Sequence, residues 1–406
     1  MLGRNTRSFL ASTSRQTSRK IAQNQSPQRI SNNTIRTSFH SSTSNSNSIH
    51  KSTHQSRYFS HSTFKMALIS EDKYGPSHKD AVGPGDARPT ALQIIQDNNM
   101  AGALKGKTIL ITGVSSGIGI DTAIALAETG ADLFLAARNL KKAEEALKDV
   151  LAQAGKNGRG RAELLEMDMN SLDSVRKAAA EFRTKSSGLS ILVCNAGIMA
   201  VPQLEKTADG FESQFGTNHL AHFLLFWKLK DLLLASSTKE FNSRVVAVSS
   251  SGHRAGEVQF GDYGFEKTPY SPWGGYGQSK TANIYMANEI ERRYGSKGLH
   301  ANSLMPGGIM TGLQVHVPKE VKEGWKHMKG MKSTEQGAAT TVLAAIGKDW
   351  EGVGGKYLDN CQEAPEIVKS SGATMEPGYA AYAMDQAKAA MLWEDSLVMV
   401  GEKDEN

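Results

Sequence analysis

The chain has 406 residues, enough for one large domain or two of average size. Its net charge of +6 arises at one end, because residues 1–70 contain ten of the 47 Lys and Arg residues and no Asp or Glu, which leaves the remainder with a net charge of −4. We therefore expect no nucleic-acid binding. The two cysteines, Cys194 and Cys361, argue against a disulfide framework and a cysteine-rich metal site. No apolar run approaches the roughly 18 residues of a membrane span.

Residues 1–65 have the composition of a targeting presequence. They are rich in Ser, Thr, Asn, Gln and Arg and contain no acid, which predicts a disordered N-terminal extension that directs the protein to mitochondria. The run Arg57-Tyr58-Phe59-Ser60 is similar to the processing sites of matrix precursors. The alternative is that translation starts at Met66, which predicts a cytoplasmic protein without this extension.

Residues 66–104 form a predicted arm with several Pro and Gly residues and one short helix at 90–98. Strand patterns then alternate with helical patterns. The strands are predicted at 107–112, 131–137, 162–167, 191–194, 244–248 and 300–304. The helices are predicted at 120–128, 140–154, 171–185, 210–235, 277–294 and 333–346. The alternation predicts one α/β domain at 105–365 with a doubly wound parallel sheet, the Rossmann fold. Residues 357–360 would continue the sheet edge, and the extension 366–406 would carry a helix at 378–397.

A glycine-rich turn follows the first predicted strand. Its pattern, TGxxxGxG from Thr112 to Gly119, lies between a strand and a helix, where backbone N–H groups can hold a dinucleotide pyrophosphate. Gly113 would allow the tight turn, Gly117 the approach of the phosphate and Gly119 the close packing of the helix. The cofactor-binding residues predicted here are Gly113, Ser115, Ser116, Gly117, Ile118 and Gly119. The alternative is a glycine turn that binds no nucleotide.

The end of the second strand indicates which cofactor is preferred. Arg138 stands where folds that select NAD present an Asp or Glu, and an arginine can pair with the 2′-phosphate of NADP. The sequence therefore favours NADP(H) over NAD(H); the alternative is an arginine that only stacks on the adenine. Asp168 and Met169, after the third strand, are predicted to reach the adenine. The alternative for Asp168 is that it caps the helix that follows.

Tyr276 and Lys280 lie four residues apart in a predicted helix. This spacing places both side chains on one face, about one turn apart. An adjacent ammonium favours the phenolate and lowers the pKa of a phenol, which suits proton exchange near neutral pH. The pair alone is weak support for catalysis, since the same spacing occurs in many helices.

Combined in this order, the motifs resemble those of the short-chain dehydrogenase/reductase family. The resemblance covers about residues 105–365. Within the family, the sequence resembles the group of retinol dehydrogenases, WW-domain oxidoreductases and chloroplast-translocon-associated proteins. The motifs that carry it are TGxxxGxG, Asn195-Ala196-Gly197, Asn218-His219-Leu220-Ala221-His222-Phe223, Val248-Ser249-Ser250-Ser251-Gly252-His253, Tyr276-to-Lys280 and Pro306-Gly307-to-Thr311.

The resemblance implies four catalytic residues. Tyr276 would exchange the proton of the carbonyl or alcohol oxygen, and Lys280 would lower its pKa and hold the ribose of the nicotinamide. Ser250, rather than Ser249 or Ser251, would hydrogen-bond the substrate oxygen. Asn218 would hold a water that connects the lysine to solvent; the alternative is a polar residue on a helix face.

The resemblance also implies cofactor contacts at Tyr276 and Lys280 and, after the fourth and sixth strands, at Asn195, Ala196, Gly197, Pro306, Gly307, Ile309 and Thr311. Cys194 is interpreted as a core residue rather than a nucleophile. His253 is either a substrate neighbour or a structural histidine.

Two segments bear on the substrate. Residues 256–275 contain five aromatic residues that could form the wall of an apolar pocket. Residues 313–332 carry Val317, Val321, Trp325 and Met328 at helical spacing. The opposite face carries an exposed row of lysines, namely Lys319, Lys322, Lys326, Lys329 and Lys332. This pattern fits either a lid with weak membrane-surface contact or a solvated amphipathic helix. We expect a lipophilic aldehyde, ketone or alcohol as substrate. The C-terminal segment would cover the cleft or form a homo-oligomer contact.

The sequence thus predicts an NADP(H)-dependent oxidoreductase that interconverts carbonyl and alcohol groups. The alternative is a cofactor-sensing interaction protein that keeps the dehydrogenase fold. The four implied catalytic residues favour the enzyme.

Overall fold

The computed structural model describes residues 73–156, 158–368 and 376–404. The predicted presequence lies outside these residues. The strands are β1 Thr108–Thr112, β2 Asp132–Ala137, β3 Ala162–Glu166, β4 Ile191–Cys194, β5 Ser243–Val248, β6 Leu299–Met305, β7 Gly308–Ile309, β8 Met331–Lys332, β9 Tyr357–Asp359 and β10 Gln362–Glu363. The α-helices are α1 Gly75–Lys79, α2 Ala91–Asp97, α3 Ile118–Ala127, α4 Leu140–Ala146, α5 Lys148–Gln153, α6 Leu172–Lys185, α7 Ser213–Phe215, α8 Ala221–Ser236, α9 Pro272–Tyr294, α10 Lys319–Lys326, α11 Thr334–Ile346 and α12 Gln386–Met399.

Eight strands form one sheet in the order β10-β9-β6-β5-β4-β1-β2-β3. All neighbours pair in parallel except the antiparallel edge strand β10. The strand order reverses between β1 and β4, and the carboxyl ends of strands beside such a reversal form the ligand crevice of doubly wound sheets. The predicted Rossmann fold is confirmed.

Helices cover both faces of the sheet, because its central strands are apolar on both sides. On one face α2, α3 and α11 pack together and bury Ile94, Ile109 and Val342. On the other face α6, α8, α9 and α12 bury Phe182, Phe226 and Trp393. The predicted arm therefore contains a helix, α2, that is part of the hydrophobic core.

Four predicted helices differ clearly from those observed. The pattern at 140–154 forms two helices, because Leu147 leaves helical geometry with φ −114° and ψ 15°. In place of the helix predicted at 210–235, the observed helical segment begins at Ser213 and contains a π-helical turn, Gly216–Leu220. The C-terminal helix begins only at Gln386, where the Asp385 carboxylate accepts the N–H groups of Ala387 and Lys388.

Helix α9 starts five residues earlier than predicted. The Ser271 hydroxyl accepts the Gly274 N–H at 3.0 Å, and Pro272 occupies the first turn, where a missing N–H costs nothing. The longer helix places Trp273 and Tyr276 on one rigid element, with ring centres 6.1 Å apart.

Among the described residues no helix is long and apolar enough to cross a membrane, and no group of His, Cys, Asp and Glu could hold a metal ion. Cys194 and Cys361 are both free and buried. Burial raises the pKa of the Cys194 thiol, which supports its interpretation as a core residue.

Candidate active site

The glycine turn joins the carboxyl end of β1 to the start of α3. Gly113 and Gly117 have φ values of 75° and 66°, which side chains rarely tolerate. A Cβ on Gly119 would lie 2.3 Å from the Gly113 carbonyl oxygen, so only glycine allows this helix to approach the turn. A Cβ on Gly117 would lie 3.3 Å from Thr311, which closes the other side of the turn. The three glycines thus have the conformations and spacing that a phosphate-binding turn requires.

Thr112 and Asn195 join the ends of β1 and β4. The Thr112 hydroxyl accepts the N–H groups of Asn195 and Ala196, each at 3.0 Å. The Asn195 amide donates to the carbonyls of Thr112 and Gly113 at 2.8 and 3.2 Å. Asn195 therefore stabilises the turn through its side chain, and Ala196 and Gly197 line the cavity beside it.

His222 extends this network to the π-helical turn. Its Nδ1 lies 2.9 Å from the Asn218 carbonyl, which can only accept, so Nδ1 carries the proton. Burial lowers the pKa of His222 to about 4, and the neutral ring therefore has an unprotonated Nε2. That nitrogen accepts from the Thr112 hydroxyl at 2.8 Å. The tautomer protonated at Nδ1 thus connects the Asn218 carbonyl to Thr112 at the end of β1, and through Thr112 to Asn195 after β4.

The predicted adenine side lies at the ends of β2 and β3. Arg138 is exposed, lines the cavity and is followed by Asn139, whose side chain caps α4. Asp168 and Met169 also line the cavity. The Asp168 carboxylate accepts the Asn170 N–H at 3.0 Å, so it shapes the turn before α6 as well as facing the cavity.

Tyr276 and Lys280 are both buried, each with 3% of its surface exposed, and both line the cavity. Burial raises the pKa of the Tyr276 phenol to about 12, although a hydrogen bond with Ser250 opposes this. Burial lowers the pKa of Lys280 to about 8. Burial therefore shifts the pKa of Tyr276 in the direction opposite to the one expected from an adjacent ammonium.

Ser250 lies at the N-terminus of the 3₁₀ helix Ser251–Ala255, and its hydroxyl accepts the Gly252 N–H at 3.0 Å. It faces the cavity together with Ser249 and Ser251. The Ser249 hydroxyl donates to the Lys280 carbonyl at 2.8 Å. Of the three serines, Ser250 is the one whose side chain interacts with the Tyr276 phenol and so opposes the rise of its pKa.

Asn218 is fully buried in the π-helical turn and does not line the cavity. Its side chain accepts the Ile198 N–H at 2.8 Å and donates to the Ile198 carbonyl and the Ser279 hydroxyl, both at 2.9 Å. A Cβ on Gly197 would lie 3.0 Å from the Asn218 oxygen and 3.4 Å from the Lys280 ammonium nitrogen. Asn218 therefore holds the strand-end loop beside the lysine.

One cavity of about 1230 Å³ runs along these strand ends. It is lined by all the predicted site residues except Gly119 and Asn218, including Pro306, Gly307, Ile309 and Thr311 after β6. Its backbone turns, its exposed arginine at one end and its buried lysine at the other fit an extended dinucleotide. The nicotinamide end would then lie between Tyr276 and Pro306.

The apolar end of the cavity differs from the prediction. Of the aromatic residues at 256–275, only Trp273 lines it; Phe260 and Tyr263 pack against the core instead. Trp325 of α10 lies opposite, with ring centres 6.3 Å apart. Val317 is buried whereas Val321 is 42% exposed, so the predicted apolar stripe is only partly covered.

His253 is structural. Its Nδ1 donates to the Ser250 carbonyl at 2.6 Å, and its Nε2 accepts the Ala380 N–H at 3.1 Å. It thereby connects the serine loop to the C-terminal segment, which contributes Ile367 and Ala380 to the cavity.

Sequence reasoning missed Met199 and Val201, which line the cavity after β4, and the hydrogen-bonding role of His222. The position of Met199 just beyond a strand end and the four-residue spacing from Asn218 to His222 were the available signals.

Comparisons with known proteins agree with this geometry. The family model described as short chain dehydrogenase matches residues 107–322. The chain is 51% identical over 332 residues to "Short-chain dehydrogenase/reductase prx1" of Penicillium roqueforti, covering 81% of this chain and 95% of that protein. It is 37% identical over 324 residues to human "Retinol dehydrogenase 14", covering 76% and 91%. A solved structure of the angucycline C-6 ketoreductase LanV with bound NADP is 25% identical, with a TM-score of 0.51 and coverage of 64% and 95%.

The fold, the glycine turn and these relatives define an oxidoreductase that uses a nicotinamide cofactor. The chain belongs to the short-chain dehydrogenase/reductase family and resembles its retinol dehydrogenase group.

Proposed function

We propose that this protein uses NADP(H) to interconvert a lipophilic aldehyde or ketone and its alcohol. The observation that carries the proposal is the arrangement of Tyr276, Ser250 and Lys280 in one cavity wall, between the glycine turn and an apolar end. The cofactor would supply or accept the hydride, and the chain would handle one proton.

Tyr276 is suited to the acid role in carbonyl reduction. Because the pKa of its phenol is raised to about 12, the group is protonated at neutral pH and can donate its proton to the carbonyl oxygen of the substrate. The Ser250 hydroxyl would hydrogen-bond the same oxygen and stabilise its developing charge. Lys280, with a pKa of about 8, is largely cationic at neutral pH and would bind the ribose hydroxyls.

Two observations support the choice of cofactor and substrate. Arg138 lines the cavity after β2, where its guanidinium can pair with a 2′-phosphate, and LanV was solved with NADP. Trp273, Trp325, Met199 and Leu313 give the other end an apolar lining. Such a surface favours lipophilic substrates.

The direct test is an NADPH-oxidation screen of the purified protein across aldehydes, ketones and quinones of increasing apolar size. The proposal expects turnover of lipophilic carbonyls and a preference for NADPH over NADH. Tight NADPH binding without turnover of any carbonyl would favour the cofactor-sensing alternative. Absence of NADPH binding would contradict both.

We also propose weak contact with membrane surfaces and targeting to the mitochondrial matrix. Val315 is 70% and Val321 42% exposed beside the exposed Lys319, which supports shallow binding to anionic lipid. Sedimentation with phosphatidylcholine vesicles, with and without phosphatidylserine, tests the membrane contact; no binding to either kind of vesicle would refute it.

N-terminal sequencing of the native protein tests the mitochondrial targeting, since a start at Met66 would contradict the presequence.

A further inference from the structure

Among the described residues that lie outside the range matched by the family model, two basic side chains are buried. Arg88 is 3% exposed and Lys332 4%. Burying a cation is costly unless polar partners compensate for lost water. The partners of these two residues therefore indicate what they do.

Lys332 lies behind the loop that follows β6. Its ammonium donates to the Pro306 carbonyl at 3.1 Å. Its aliphatic stem packs so closely on Gly307 that a Cβ there would lie 2.7 Å from the Lys332 Cδ. Pro306 and Gly307 line the cavity, whereas Lys332 does not. Lys332 thus supports the loop from the face opposite the proposed nicotinamide.

The backbone of Lys332 supports the same loop. It belongs to β8, which pairs in parallel with β7, so that Met331 lies beside Gly308 and Lys332 beside Ile309. The Gln314 side chain also donates to the Ile309 carbonyl at 2.8 Å. The position of β8 therefore determines where residues 306–309 lie.

Arg88 fastens β8 to the N-terminal segment. Its guanidinium donates to the carbonyls of Gly330 and Met331 and pairs with the Asp86 carboxylate at 2.7 Å. Asp86 in turn accepts the N–H groups of Val82 and Gly83. This hydrogen bonding lowers the pKa of the Asp86 carboxyl, although burial opposes it.

Gln336 ties the same segment to α11. Its side-chain amide donates to the carbonyls of Asp86 and Arg88 at 3.0 and 3.1 Å, and its oxygen accepts the Gly85 N–H at 2.9 Å. Residues 82–88 are thus anchored on both β8 and a core helix.

We propose that Arg88 and Lys332 are positioning residues for the cofactor: residues 82–88 fix β8, and Lys332 on β8 holds Pro306 and Gly307 in their place against the nicotinamide. This inference rests on the proposed NADP(H)-dependent function. It gives the segment before β1 a part in cofactor binding, which a purely structural anchor would not have.

The test compares Lys332→Met, Arg88→Met and Arg88→Lys with the wild type. Hydrogen exchange of residues 306–312 in the cofactor-free protein reports on the loop, and titration with NADPH reports on affinity. Each methionine variant should exchange these amides about 10-fold faster and bind NADPH about 10-fold more weakly, the effect of losing a buried hydrogen bond to a charged group. Arg88→Lys keeps the positive charge but not the planar guanidinium, so its exchange rate and its NADPH affinity should lie between those of the wild type and those of Arg88→Met.

Lys329→Met is the matched control, because this exposed lysine precedes β8 on the same loop, and its loss should change neither readout. Unchanged loop exchange and NADPH affinity within about 2-fold in both methionine variants would overturn the inference. If a methionine variant does not fold, Arg88→Lys decides by the same two measurements. If the wild type does not bind NADPH, the proposed function fails, whereas the exchange data still decide whether the two residues hold the loop.

Discussion

The Lys280 ammonium lies 5.6 Å from the centre of the Tyr276 ring and donates a hydrogen bond to the Val248 carbonyl at 3.1 Å. Burial dominates both groups: it raises the pKa of Tyr276 to about 12 and lowers the pKa of Lys280 to about 8. In the cofactor-free protein the pair is therefore a neutral phenol beside a lysine that titrates just above neutral pH. The lysine, rather than the tyrosine, is the group whose charge changes near the working pH.

This difference predicts the pH profile. Lys280 loses its proton as the pH rises through about 8, so kcat/KM for NADPH, which reports on the free enzyme, should fall above that pH. Lys280→Arg keeps the positive charge at every accessible pH, and its profile should stay flat to higher pH even if its overall rate is lower. Initial rates between pH 6 and 10 check this; the same decline in both proteins would assign the titration to another group.

Arg138 should determine cofactor preference. Arg138→Ala removes a charge-assisted contact to the 2′-phosphate and should weaken NADPH binding by about 10- to 100-fold, with little change for NADH. Fluorescence titrations with both cofactors measure the ratio. Lys141→Ala is the control, since this exposed lysine on α4 lies near Arg138 but does not line the cavity. Equal losses for NADPH and NADH would show that Arg138 does not read the phosphate.

His222 should make the fold sensitive to acid. Its folded-state pKa of about 4 lies below the ordinary value of 6.5, so between these pH values the unfolded chain binds a proton that the folded chain does not. Stability should therefore fall as the pH is lowered from about 6.5 to about 4. His219 and His253 contribute in the same direction, because burial lowers their pKa values to about 3 and 4.

The contribution of His222 is separable by mutation. His222→Gln should flatten this decline, while His222→Leu should in addition lose about 1–3 kcal/mol at pH 7, because the Thr112 hydroxyl and the Asn218 carbonyl lose their partner. Urea unfolding at pH 7 and pH 5 measures both effects. An unchanged pH dependence in the glutamine variant would mean that His222 is not held neutral by the fold.

Trp325 should affect apolar substrates selectively. Its ring lies opposite Trp273 at the apolar end of the cavity, so Trp325→Ala should raise KM about 10-fold for a long-chain or aromatic carbonyl, with a smaller effect on a short aldehyde. Val321→Ala on the same helix is the control, because Val321 does not line the cavity. An equal effect on short and long substrates would remove Trp325 from the substrate site.

The sequence predicted the glycine turn well, because its geometry is local. Gly113, Gly117 and Gly119 each meet a backbone requirement within one turn, and the strands on either side are continuous apolar runs. The position of Tyr276 relative to Lys280 is likewise determined within one helix.

The apolar end of the cavity depends on tertiary packing, which the sequence did not reveal. Tyr263 and Trp273 both lie in the insertion at 256–275, yet Tyr263 stacks on Phe215 in the core whereas Trp273 lines the cavity. The direction of the Tyr276 pKa shift was also missed, because the helical spacing suggests a nearby charge but not the degree of desolvation. Lys332 was assigned to an exposed row of lysines and is buried, because β8 turns it towards Pro306.

In the proposed reaction Tyr276 exchanges the proton during hydride transfer. The most direct measurement compares NADPH binding and carbonyl turnover in wild type, Tyr276→Phe and the control Tyr379→Phe, whose phenol lies outside the cavity. We expect Tyr276→Phe to lose about 10²- to 10⁴-fold in turnover and to keep its NADPH affinity, while Tyr379→Phe behaves as wild type. Turnover of every accepted carbonyl at the wild-type rate by Tyr276→Phe would contradict it.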